Sequence, residues 1–155
     1  MACDHEHFMD LALAEARLAE AAGDTPVAAV IVRDGEVLAI GRNTVRNESN
    51  PVNHAEIVAI VEACRKLGTA ELKGCTLYSP YEPCPMCCWA IVLSGIDQLV
   101  LGGRHAALNR VDLGQYSVER LLEMTGRQLK LVTGVRAREY EDYRRQWMQR
   151  TGRLL

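Results

Sequence analysis

PVAAVIVRDGEVLAIG, residues 26–41, decides the fold. Asp34-Gly35 is the strongest short-range hairpin signal, so strands over 26–32 and 37–41 run antiparallel on either side of it. The run Val27 to Val32 is apolar throughout instead of alternating, as expected of a strand covered on both faces by helices. The flanking sequence supplies those covers. Upstream, residues 5–22 read as a helix with Leu11, Ala14, Leu18 and Ala21 on its apolar stripe, stopped by Gly23. Downstream, AEIVAIVEACRKL (55–67) places Ile57, Ile60, Val61 and Cys64 in helical register and ends at Gly68. CTLYS (75–79) reads as a strand and MCCWAIVLSG as a helix introduced by Pro85. A strand over 97–103, a helix over 117–126, a strand over 127–134 and a helix over 135–152 complete the order αββαβαβαβα. This pattern predicts one three-layer α/β domain spanning 1–155, with no linker or repeat.

A chain of 155 residues is long enough to form a core without covalent staples. Eighteen Lys and Arg against twenty Asp and Glu give a net charge of −2, so no overall basic field points to nucleic acid or a membrane surface. The amino terminus has no basic segment followed by an unbroken apolar run, and no stretch is long enough to span a bilayer. A cytosolic protein is expected. Of the six cysteines, Cys84, Cys87 and Cys88 are crowded together, which in a reducing compartment favours metal binding or free thiols; Cys3, Cys64 and Cys75 read as free thiols.

Two motifs carry chemistry: His54-Ala55-Glu56 and Pro83-Cys84-Pro85-Met86-Cys87, each opening a predicted helix. Cys84 and Cys87 are three apart, so they share a face of the first turn and can grip one ion. The helix dipole and the free amides of that turn favour their thiolates. With His54 they form a set of three protein ligands, which leaves a fourth tetrahedral position open and suits a catalytic zinc, one per chain, over a closed structural one. Cys88 lies about 100° further round the helix and is expected to pack in the core. Glu56 is near the metal but outside the ligand set, and its expected role is to take a proton from water and return it to the substrate.

The H-x-E…P-C-x-x-C pattern is the signature of zinc nucleobase deaminases. From Pro26 to Gly103, the blocks PVAAVIVRDGEVLAIGRN, NPVNHAE and LYSPYEPCPMCCWAI stand in the same order and at comparable spacing. On these blocks the chain resembles the cytidine-deaminase-like superfamily, in the branch that contains guanine deaminases, fungal-type cytosine deaminases and bacterial tRNA adenosine deaminases. The resemblance implies a three-layer α-β-α domain with a central mixed five-stranded sheet, the zinc ligands and glutamate named above, and a homodimer. It also implies that Asn43 and the amide of Ala55 contact the substrate ring, and that the loop carrying His105 faces substrate. Two departures bear on substrate identity. Asn53 stands where relatives often have a small residue, and Pro80-Tyr81-Glu82-Pro83-Cys84 replaces Ser/Thr-x-Glu-Pro-Cys. Asn53 is expected to cap the following helix.

Other signals are weaker. His5 and His7, with Cys3, fit no strong zinc spacing and read as solvated helix-start residues. Trp89 lies in an apolar helix and is expected to pack in the core. Tyr140, Tyr143 and Trp147 recur at spacings of three and four; Trp147 is the residue of this stripe expected to help close the site over substrate. From Arg127 onward there are eight basic and three acidic residues, 8 − 3 = +5, a local charge that could meet RNA phosphate. However, RHAALNRVDLGQYS replaces the D-x-K-x-G-A-x-G-S-like loop usual in tRNA adenosine deaminases. The expected reaction is therefore ammonia release from a small amino-heterocycle, with guanine or cytosine first. The alternatives are adenosine-to-inosine conversion in tRNA and a non-catalytic zinc-stabilised binding module.

Overall fold

The computed structural model describes residues 4–155, and Cys3 lies outside them. Helix α1 (His5–Ala21) leads into the hairpin β1 (Ala28–Arg33) and β2 (Glu36–Arg42), and α2 (Ala55–Leu67), β3 (Cys75–Tyr81), α3 (Pro85–Leu93) and β4 (Gln98–Gly103) follow. Two 3-10 turns, Ala106–Leu108 and Val111–Leu113, precede α4 (Val118–Thr125), β5 (Lys130–Val132) and α5 (Ala137–Thr151). The five strands form one sheet in the order β2-β1-β3-β4-β5. β1 is antiparallel to β2 and β3, whereas β3, β4 and β5 run parallel, so the sheet is mixed as expected. Asp34 and Gly35 take φ of 52° and 78°, the left-handed pair that a tight hairpin turn requires.

β1 is buried on both faces. Ala29 and Ile31 join the core with Ala55, Ala59 and Ile91 of α2 and α3, while Val30 and Val32 pack with Phe8, Met9 and Ala12 of α1. The faces of α1 and α2 differ from the predicted stripes. α1 buries Phe8, Met9, Ala12, Leu13, Ala16 and Ala19, leaving Leu18 exposed. α2 buries Ala55, Glu56, Ala59 and Ala63, leaving Val61 exposed. Small residues face the sheet because the backbones approach closely. A Cβ built on Gly41 of β2 would stand 2.2 Å from the Ala55 carbonyl oxygen and 2.4 Å from the Ala59 nitrogen, so only glycine lets α2 lie this near the sheet. That approach fixes the start of α2, where His54 and Glu56 reside.

β5 has three residues instead of the eight predicted, and the Gly103–Tyr116 loop contains two short turns. Among the described residues, no helix is long and apolar enough to cross a membrane. Cys64 and Cys75 are free thiols, and Cys88 is free and fully buried. His5 Nδ1 lies 3.0 Å from the Tyr78 hydroxyl. Trp89 is half-buried, beneath Arg127 at 5.7 Å, and is not a fully enclosed core residue.

Candidate metal centre and active site

Two helix starts converge on one point. His54 is the residue before α2 and Cys84 the residue before α3, with Pro85 at the first helical position and Cys87 in the first turn. Their ligand atoms lie within 4.8 Å of one another, and Cys84 Sγ is 3.5 Å from His54 Nδ1. Tetrahedral zinc with ordinary Zn–S and Zn–N bonds separates sulfur from nitrogen by about 3.6 Å, so this edge already has the length that the ion requires. The donor set fits too: two sulfurs and an imidazole at helix amino termini, with Cys88 outside the group. Bound there, a zinc ion would supply a Lewis acid able to lower the pKa of a water to about 7.

The electrostatics agree with a site built for a cation. The hydrogen bond from Cys87, with the neighbouring His54, holds the Cys84 thiol down at about 4. Cys87 is pushed far up by giving that bond and by burial. One proton is thus shared between two sulfurs that a divalent ion would hold as thiolates. His54 is raised, chiefly by Cys84. Glu56 is 4% exposed, and burial together with the Cys84 charge lifts its carboxyl to about 7, within reach of both protonation states at neutral pH. Ser79 Oγ donates to the Tyr81 carbonyl at 2.7 Å and lies 3.4 Å from Glu56 Oε1.

A cavity of about 620 Å³ opens over this cluster, and its wall includes His54, Glu56, Cys84, Asn43 and His105. Asn43 is buried. Its Oδ1 accepts from the Val45 amide at 3.2 Å, and its Nδ2 has no partner among the described residues. His105 is buried edge-on against Tyr81 at 4.7 Å, and burial holds its pKa below the usual imidazole value. Ala55 opens α2 with its side chain in the core and is not on the cavity wall.

Trp147 is also absent from that wall. It is 1% exposed and stacks between Arg144 at 4.6 Å and Arg153 at 4.8 Å, so it supports the cavity from behind and does not close over it. Asn53 does not cap α2. Its Nδ2 donates to Glu48 Oε2 at 2.6 Å, and the helix has no side-chain cap at His54, whose imidazole is turned toward Cys84.

Several wall residues had no distinctive sequence signal. Arg110 is buried, paired with Asp112 through two bonds of 2.7 and 2.8 Å, and 3.4 Å from the Tyr81 hydroxyl. Arg144 reaches the cavity from α5. Glu82, quoted only as part of a motif, is 3% exposed and ties three segments together. Its Oε1 accepts from the His105 amide and from Arg104, each at 3.1 Å, and its Oε2 accepts from the Val118 amide at the start of α4 at 3.0 Å.

Residues 2–103, more than half of the chain, match the cytidine and deoxycytidylate deaminase zinc-binding region. The chain belongs to this family of zinc deaminases. It is 42% identical over 118 residues to a tRNA-specific adenosine deaminase of Aquifex aeolicus (strain VF5), covering 76% of each chain. It is 45% identical over 89 residues to a guanine deaminase of Bacillus subtilis (strain 168), covering 57% of each. Among solved structures, one from a study of A-to-I editing by tRNA:A34 deaminases at the wobble position superposes with a TM-score of 0.77 at 35% identity, covering 88% of this chain and 97% of that one. The family and the fold are those that the sequence motifs imply, and zinc is its cofactor.

Proposed function

We propose that this deaminase acts on a small, free amino-heterocycle: water adds to the ring carbon that bears the amine, the C–N bond breaks, and ammonia leaves a ring carbonyl behind. Glu56 takes one proton from the attacking water and gives it to the ring nitrogen, then takes the second from the new hydroxyl and gives it to the departing amine, so that it ends each cycle as it began. Asn43, on the cavity wall, orients the ring. The observation that carries this reading is the state of the basic carboxyl-terminal segment. Arg136 is paired with Asp10 and Glu6, Arg150 with Glu20, Arg138 with Asp142, and Arg145 with Glu141 and Asp142. Arg144 is buried. The +5 already counts Glu141 and Asp142, and Glu6, Asp10 and Glu20 of α1 offset a further part of it at Arg136 and Arg150, which leaves a smaller charge for phosphate to meet.

A second reading, adenosine deamination in a tRNA anticodon, draws its support from the relatives, since the tRNA enzyme gives the longer match of the two curated proteins described. Ammonia release from guanine, cytosine and isocytosine, measured beside inosine formation in tRNA, separates the two. Turnover of a free base with no inosine is expected; robust inosine at the wobble position with no free-base turnover would reverse the assignment. A reducing, cytoplasmic setting suits the paired thiols. The partner we propose is a second copy of the chain.

A further inference from the structure

Asp24, between α1 and β1, is 1% exposed, and its carboxylate is held by backbone amides. Oδ1 accepts from the Thr25 amide at 3.0 Å, while Oδ2 accepts from the Arg46 amide at 3.0 Å and the Asn47 amide at 3.1 Å. These bonds join two segments that both reach the active-site cavity, Thr25 and Val27 on one and Asn43, Val45 and Arg46 on the other. The second segment has no other such tether. Residues 44–53 run between β2 and α2, and apart from the two bonds to Asp24 their hydrogen bonds among the described residues stay within 43–54. Next to the anchored pair, the Val45 amide donates to Asn43 Oδ1 at 3.2 Å. That bond occupies the carboxamide oxygen and leaves the amino group for a substrate.

We infer that Asp24 is a positioning residue for the deamination: it fixes Arg46 and Asn47, which sets the Val45 amide, which holds the Asn43 carboxamide in one orientation on the cavity wall. The inference rests on the reading above in which Asn43 orients the ring, and extends it to a residue that is not itself on that wall. Without the carboxylate, the Arg46 and Asn47 amides must find other acceptors or water, so the loop shifts and the Asn43 side chain is free to turn. Asp24→Ala removes all three bonds. Asp24→Asn keeps one oxygen, which can still serve the two loop amides, and gives up the bond to Thr25.

A double-mutant cycle tests the inference, with guanine, cytosine and isocytosine as probes. Using zinc-loaded protein, kcat and KM are measured for Asp24→Ala and Asp24→Asn, each in the wild-type and the Asn43→Ala backgrounds, beside zinc content and Tm. On the base that the wild type turns over, Asp24→Ala should raise KM about tenfold, as expected for losing one hydrogen bond to the ring, and change kcat less than about threefold. Zinc should stay at about one ion per chain. Asp24→Asn should raise KM about threefold, a partial rescue. In the Asn43→Ala background both substitutions should change KM by less than about twofold, while Tm falls as much as it does in the wild-type background. Equal KM increases in the two backgrounds, or a lower Tm with KM unchanged, would make Asp24 structural and overturn the inference while leaving free-base deamination standing. Should Asp24→Ala not fold, the Asp24→Asn pair decides by the same criterion. If the wild type turns over none of the three bases and forms inosine in tRNA, the free-heterocycle reading falls, and the same cycle measured on adenosine in tRNA upholds or overturns the role of Asp24.

Discussion

Glu56→Gln is expected to lose on the order of 10²–10⁴ in kcat while the fold and the zinc content stay as they are. The amide has nearly the same shape, and position 56 is outside the group that can hold the metal. What it lacks is the ability to accept a proton from water and deliver it to the ring. The carboxyl is buried, and burial together with the Cys84 charge raises it to about 7, which makes it competent in both directions at neutral pH. No other carboxylate on the cavity wall is equally free: Glu82 is held by two backbone amides and Arg104, and Asp112 by Arg110. Single-turnover kinetics beside metal analysis check the separation. Near-normal turnover in the variant would mean that another group moves the proton.

Glu82→Ala should be the most damaging single substitution away from the metal, lowering stability by about 3–5 kcal/mol. Its side chain is 2% exposed, and its removal strands the His105 and Val118 amides as well as the Arg104 guanidinium. For a chain of this length such a loss lowers Tm by roughly 10 °C or more. Glu82→Gln keeps the size and one acceptor, so it should lie between the alanine variant and the wild type. Turnover should fall in both, because the bonds that break hold the His105 loop and the entry to α4 against the Cys84 segment. A thermal transition within about 2 °C of the wild type for the alanine variant would show that these three segments are held by packing alone.

The element order, the hairpin and the metal cluster were legible because each rests on local rules. Asp34-Gly35 needs only its own turn, and the metal-gripping residues are paired by short spacings within a motif. The buried faces of α1 and α2 were less legible. Periodicity weights large apolar residues, yet the close approach at Gly41 puts alanines against the sheet and turns Leu18 and Val61 outward. Trp147 had the spacing of a closing residue, but Arg144 and Arg153 sandwich it away from the cavity. Asn53 had the chemistry of a cap but is bonded to Glu48, five residues back, an arrangement that the loop conformation alone decides. Arg144 carried no signal at all. In a segment with eight basic residues it looked like its neighbours, and only the tertiary structure shows that it is buried on the cavity wall.

Zinc-dependent deamination at the His54, Cys84 and Cys87 cluster is tested most directly by stripping the metal and titrating zinc back while ammonia release is followed on the substrate identified by the assays above. Activity should vanish in the stripped protein and rise in proportion to added zinc, levelling off at about one ion per chain, and Cys87→Ala should fail to recover it. Full activity in metal-free protein, or recovery in Cys87→Ala equal to the wild type, would contradict the account.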